Sequence, residues 1–174
     1  MSRPTPDAKP TPIPTRWLWL YKGFRRYSTR YLRKHFHAVR LSKSGPPAPR
    51  GDGEPVVFVL NHPGWWDLLV ALRLTPKFDH YRHYVPIEAA MLPKYPVFSK
   101  MGIFGIDGTP RGAAHFLRTL SAIFSQSHAA LWITAQGEFT DVRKRPVFLR
   151  EGVGYVAKRL GKGWIVPVAI EYTF

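Results

Sequence analysis

The residues of this chain best suited to chemistry sit in one short run, Asn61-His62-Pro63-Gly64-Trp65-Trp66-Asp67. Pro63 and Gly64 are turn formers that fold the intervening chain tightly, so the imidazole of His62 and the carboxylate of Asp67 can approach each other. A neutral imidazole so placed takes a proton from an attacking hydroxyl, while the carboxylate fixes its tautomer and stabilises the imidazolium that forms. On spacing alone the pair more readily describes a turn histidine followed by a helix-opening aspartate. Trp65 and Trp66 likewise describe core or interface residues before they describe a substrate platform. Other chemistries are poorly provided for. The chain has no cysteine, which excludes disulfide scaffolds, zinc ribbons and thiol catalysis. Ser121, Ser125 and Ser127 lie along one predicted helix, and no G-x-S-x-G nucleophile elbow occurs. The remaining histidines are scattered, and the neighbours His80 and His83 read as surface-loop residues rather than metal ligands, so no metal is expected.

The elements that must position this run follow from patterning. Residues 54–60 (EPVVFVL) form a short β-branched run of the kind buried in a parallel sheet, and 65–74 continue it as a helix after a sharp turn. Alternation recurs downstream: strands at 84–87, 102–106, 129–134 and 164–170, a Pro-interrupted helix at 91–100, and helices at 110–127 and 152–160. Pro110 suits a first helical turn, where its missing N–H is harmless. Strands alternating with helices predict an α/β fold with an open, largely parallel or mixed sheet flanked by helices, its functional groups on the loops leaving the strands.

Ahead of this domain the chain has a different character. Residues 1–15 carry five prolines and read as a disordered tail, and 44–53 (SGPPAPRGDG) as a linker to the domain at 54–174. Between them, residues 16–43 are dominated by a run in which Trp17, Leu20, Tyr21, Phe24, Tyr27, Tyr31, Phe36 and Val39 fall largely at helical spacing among arginines and lysines. Over residues 16–41 such a helix would be about 39 Å long. The whole chain of 174 residues has 26 Lys and Arg against 11 Asp and Glu, a formal charge of +15. Eleven of those cations fall between Ala8 and Gly51 with no acid among them. Near an anionic leaflet each adds roughly 1 kcal/mol of attraction, and the composition is that of an interfacial helix. The opposing reading packs the aromatic stripe on the protein's own core and leaves the charges solvated. No stretch approaches the roughly 18 apolar residues of a spanning helix.

His62 through Asp67 also resembles the H-x-x-x-x-D motif of glycerolipid acyltransferases of the lysophosphatidic acid type, with Asn61 ahead of it. The resemblance extends over roughly residues 54–170. Gly102 to Asp107 resembles the family's second block, Ile133 to Glu138 stands in place of its third (usually F-P-E-G-T-R), and Val166-Pro167-Val168 resembles its fourth. The resemblance implies transfer of a fatty acyl group from a thioester, on coenzyme A or acyl carrier protein, to a hydroxyl of a lipid-like acceptor. His62 would be the general base and Asp67 its orienting partner, with no resident cofactor. Asp107, Arg111, Gln136, Gly137, Glu138 and Arg143 are the candidates for acceptor binding, and Asn61, Gly64 and Pro167 for structural roles.

Departures from the family pattern redirect the acceptor. Gly108 stands where the family usually has an arginine for the acceptor's phosphate, with Arg111 the nearest cation. Gln136 replaces the usual glutamate and Phe139 the usual arginine. These point away from glycerol 3-phosphate or lysophosphatidate and toward a lipid or sugar hydroxyl without phosphate. The end at Phe174, at or just past the final strand, reads as a minimal or truncated version. The resulting expectation is a peripheral or monotopic enzyme of phospholipid biosynthesis on the cytoplasmic face of a membrane, with no specific nucleic acid partner. The alternative is a non-catalytic membrane- or nucleic-acid-binding protein, including a degenerate acyltransferase.

Overall fold

A computed structural model describes residues 11–45 and 53–173, so most of the expected tail and linker lies outside the described residues. Among the described residues the domain has a five-stranded, all-parallel sheet and four α-helices: α1 (Leu18–His35), β1 (Val56–Leu60), α2 (Asp67–Leu74), β2 (Arg82–Glu88), β3 (Ile103–Ile106), α3 (Pro110–Phe124), β4 (Ala129–Thr134), α4 (Gly152–Leu160) and β5 (Trp164–Val168). Strand order is β3-β2-β4-β1-β5. This is the α/β architecture that the alternating pattern predicts.

Period-two alternation along the central strands divides the core into two layers. Val56, Phe58 and Leu60 of β1 and Ala130 and Trp132 of β4 face α1 and α2. Val57, Leu131 and Ile133 face α3 and α4, where Leu120, Ile123, Val156 and Leu160 meet them. Both faces are covered, which is why these strands read as continuous apolar runs. Phe58 and Trp132 stack with ring centroids 4.0 Å apart at the centre of the first layer.

Several boundaries depart from the sequence expectation, each for a physical reason. The first helix ends at His35, not near residue 41, because Phe36 turns to extended backbone and packs edge-on against Trp66 at 5.0 Å. Residues 91–100 form no α-helix. Pro93 and Pro96 remove donors there, and two 3-10 turns, Ala89–Met91 and Pro96–Lys100, take its place. The helix beginning at Pro110 stops at Phe124, and His128 adopts a left-handed φ of 56° as the chain reverses into β4. The last strand ends at Val168, since the N–H and carbonyl of Ile170 are both bonded to the side chain of Asn61.

The aromatic stripe of the first helix is largely consumed by the protein itself. Tyr21 and Leu32 are buried in the first core layer, with Phe24, Tyr31 and Phe36 packed against it. The helix lies antiparallel to α2. Its start is tied to the strand-entry edge of the sheet, where the Trp17 N–H donates to the Lys100 carbonyl at 2.7 Å. Its last turn reaches the strand-exit edge, where Tyr31 and His35 meet Trp66 at 5.5 and 5.1 Å.

His83 is not on a surface loop: it lies buried on β2, because its ring fills a polar gap in the core. Nδ1 accepts from the Trp132 indole N–H at 3.0 Å, which leaves Nε2–H to donate to the Phe78 carbonyl at 3.1 Å. Burial, reinforced by the charge of Arg16, pushes its pKa down to about 3 from an ordinary 6.5. The unfolded chain therefore takes up a proton near pH 6.5 that the folded chain refuses until about pH 3. Stability is expected to be unaffected by this residue above pH 6.5 and to fall by at most about 1.4 kcal/mol per pH unit as the solution is acidified through that window. Urea titrations from pH 7 to 5 check this, with His83→Gln giving the shallower dependence.

Candidate active site

His62 leaves the end of β1, where a parallel sheet exposes its loops, and the turn through Gly64 is closed by the Asp67 N–H donating to the Gly64 carbonyl at 3.2 Å. The second helix consequently opens at Asp67, two residues later than patterning suggests. Asp67 sits in the first turn, where the helix N-terminus favours a carboxylate. It is almost wholly buried yet well supplied with donors. Oδ2 receives His62 Nδ1 at 2.6 Å and the Gly64 N–H at 3.3 Å, and Oδ1 receives the Tyr172 hydroxyl at 2.6 Å. A carboxylate that only accepts requires the proton on Nδ1, so Nε2 presents its lone pair outward. The His62 side chain is 23% exposed against 2% for Asp67.

Neighbouring strands hold this arrangement. The His62 N–H donates to Gln136 Oε1 at 2.8 Å, and the His62 carbonyl accepts from Thr140 at 2.9 Å, stitching the loop after β1 to the loop after β4. Asn61 forms a two-point clamp on Ile170: its amide donates to the carbonyl at 2.8 Å and its oxygen accepts the N–H at 2.7 Å. That clamp sets the chain leaving β5 on a path that brings Tyr172 over Asp67. Burial and the adjoining carboxylate raise the Tyr172 phenol far above its usual value, so it stays a donor at neutral pH. Nothing in the sequence alone marked Tyr172 for this contact, which spans 105 residues of chain.

The other sequence candidates divide by strand order. Gln136, Gly137 and Glu138 flank the histidine loop, since β4 is the neighbour of β1. Gly137 has φ of +68°, and the Arg150 side chain lies across it, donating to the Gln136 carbonyl at 3.2 Å and standing 3.8 Å from Glu138. Gln136, Glu138, Thr140, Lys144 and Arg150 line a small cavity of about 100 Å³. Arg143 is not among its lining residues; it is occupied by Asp141 through bonds of 3.0 and 2.6 Å, which hold that carboxyl well below its usual range. Phe139 places its ring 4.6 Å from the His62 ring.

Asp107 and Arg111 follow β3, three strand spacings from β1, or about 14 Å. Asp107 accepts from the Thr109 hydroxyl and N–H, bonds that lower its pKa, and a Cβ on Gly112 would collide with its carboxylate. It therefore buttresses the start of α3, whose cap is Thr109. Pro167 lies on β5, which closes one end of the sheet. Trp164 directs its N–H to Pro55, so the donor missing three residues on, at 167, an odd step along the strand, belongs to the open side and costs no ladder bond.

A larger cavity, of about 360 Å³, lies between the segment after α1, helix α2 and β5. Phe58, Val70, Trp132 and Val166 form its floor, and it shares Tyr172 with the dyad while His62 and Asp67 stay outside its lining.

The fold and the His62–Asp67 pair together describe an α/β protein with a carboxylate-oriented imidazole at the strand-exit edge. The acyltransferase family model matches residues 31–171, and the chain belongs to that family, an acyltransferase by class. Searches of curated proteins and of solved structures returned no match.

The clamp on Ile170 makes a specific demand on Asn61. Asn61→Ala is expected to cost about 2 kcal/mol of unfolding free energy, two hydrogen bonds at roughly 1 kcal/mol each, read from the urea midpoint at unchanged slope.

Proposed function

We propose that this acyltransferase moves a fatty acyl group from an acyl-thioester, on coenzyme A or acyl carrier protein, to a hydroxyl of a lipid-like acceptor at a membrane surface. The observation that carries the reading is the 2.6 Å bond between His62 Nδ1 and a buried, otherwise fully hydrogen-bonded Asp67. In the step that follows from it, the acceptor O–H gives its proton to Nε2 as its oxygen bonds to the thioester carbonyl carbon. The tetrahedral oxyanion collapses, the C–S bond breaks, and the departing thiolate takes the proton back from the imidazolium. Asp67 stabilises the transient imidazolium, and Tyr172 keeps that carboxylate aimed.

The lipid-like character of the substrates is supported by the larger, mainly apolar cavity, which shares Tyr172 with the dyad. A 150 Å³ cavity holds the six carbons of benzene, so one of 360 Å³ has room for about 14 carbons of chain. The smaller cavity, where Gln136, Glu138, Lys144 and Arg150 meet Phe148 and Leu149, adjoins the histidine loop and suits the acceptor's hydroxyl-bearing end. It mixes both signs of charge, which favours a hydroxyl-rich headgroup over a bare phosphate.

Transfer of radiolabelled acyl chain from acyl-coenzyme A into the lipid fraction tests the reading. His62→Ala and Asp67→Asn are each expected to lower turnover by about 10²–10⁴-fold. Equal turnover by wild type and His62→Ala would defeat the assignment; vesicle binding with no transfer by wild type would identify a degenerate member. Tyr172→Phe removes a donor from Asp67 and loosens the aim of that carboxylate; it is expected to cost about tenfold or less in kcat/KM.

A further inference from the structure

The aromatic and basic residues ahead of the domain draw attention to α1 as the membrane contact, but the fold puts the exposed start of that helix at the wrong end. Trp17, Leu18 and Trp19 are exposed, Trp19 to 70%, at the strand-entry edge of the sheet. His62 opens at the strand-exit edge, the other end of an 18-residue helix about 27 Å long. A protein held by Trp17–Trp19 alone would point His62 away from the bilayer.

The strand-exit edge has an apolar surface of its own. In the loop between β4 and α4, Val147, Phe148 and Leu149 are consecutive and exposed to 52%, 70% and 57%. Phe139, in the same loop and against the His62 ring, is 63% exposed, and Trp65, in the turn between His62 and Asp67, 55%. Three adjacent exposed apolar side chains cannot all be turned inward by one backbone, and so large an exposed group marks a surface that meets another apolar phase. Cations flank it: Lys144 and Arg145 precede the triplet, Arg150 follows, and Arg33 and Lys34 close the last turn of α1 at this same edge. The same loop carries Glu138, Asp141 and Glu151, of which Asp141 is paired with Arg143 and Glu138 stands 3.8 Å from Arg150. Lys144, Arg145, Arg33 and Lys34 are left to meet the negative headgroups of an anionic bilayer whose acyl chains take the apolar tip.

We propose that the protein docks end-on, inserting Val147–Leu149 and the Trp65 ring into an anionic bilayer so that the strand-exit edge faces the membrane. The first helix then stands steeply to the surface, with Trp17–Trp19 remote from it. This rests on membrane association as proposed above, and it assigns the face. The apolar tip brings the strand-exit edge that carries His62 against the bilayer, so a lipid acceptor needs little extraction into water.

The cysteine-free chain allows a direct test, in which single variants Phe148→Cys and Trp19→Cys carry an environment-sensitive fluorophore. They are mixed with vesicles of phosphatidylcholine and phosphatidylglycerol bearing a quencher on the acyl chain. The probe at 148 is expected to shift to shorter wavelength and be quenched, and the probe at 19 to stay in water. Sedimentation of both proteins with vesicles, with 148 left in water or 19 quenched, would overturn the end-on orientation while leaving membrane association intact. Failure of the unlabelled protein to sediment with these vesicles would overturn membrane association and this inference together. Phe148→Ser, at an exposed position that leaves the fold intact, is expected to lose about tenfold in vesicle partition; undiminished partition would count against insertion at 148.

Discussion

A carboxylate buried at the start of a helix is the constraint on which the site depends. An ionised group removed from water must be compensated by donors, and Asp67 has them from three directions: an imidazole five residues back, a backbone N–H within its own turn, and a phenol from the far end of the chain. Each donor requires its own support. The imidazole is held by its backbone bonds to Gln136 and Thr140, and the phenol by the Asn61 clamp on Ile170. Loops after β1, β4 and β5 thus become one hydrogen-bonded unit around a single side chain. The unit is possible because those three strands are adjacent.

Strand order also separates residues that chain order suggests would converge. The second block, at Asp107, follows a strand lying on the far side of β2 and β4 from β5. Its carboxylate is engaged in starting α3, and its partner Thr109 does the capping. The cations that border the histidine loop are Lys144 and Arg150, not Arg143, which is tied to Asp141. Arg150 is reached through a loop that crosses back over Gly137, a contact that depends on a left-handed backbone there.

Aromatic residues show how one pattern serves two ends. At residues 17–36 helical spacing fits a membrane-facing stripe and a core-facing one equally, since lipid and protein interior are both apolar. Tertiary packing assigns Tyr21, Phe24, Tyr31 and Phe36 to the core, and leaves Trp17 and Trp19 exposed at the start of the helix and Tyr27 exposed at its middle. Two boundaries were displaced where side chains outside the element intervened, Phe36 by Trp66 and Ile170 by Asn61; a third, at Asp67, was displaced by the backbone turn it closes on Gly64.

By itself the sequence determined the α/β class, the order of its elements and the run that carries His62 and Asp67, because periodicity and turn chemistry are local and act through neighbours in the chain. It took the packed chain to show that Tyr172 completes the shell of Asp67, that His83 is a core residue, that Arg150 rather than Arg143 borders the histidine loop, and that the helix start and the dyad lie at opposite edges. Those are relations between residues tens of positions apart. They are set by strand order and by the need to satisfy buried polar groups, and neither is written in any short window of sequence.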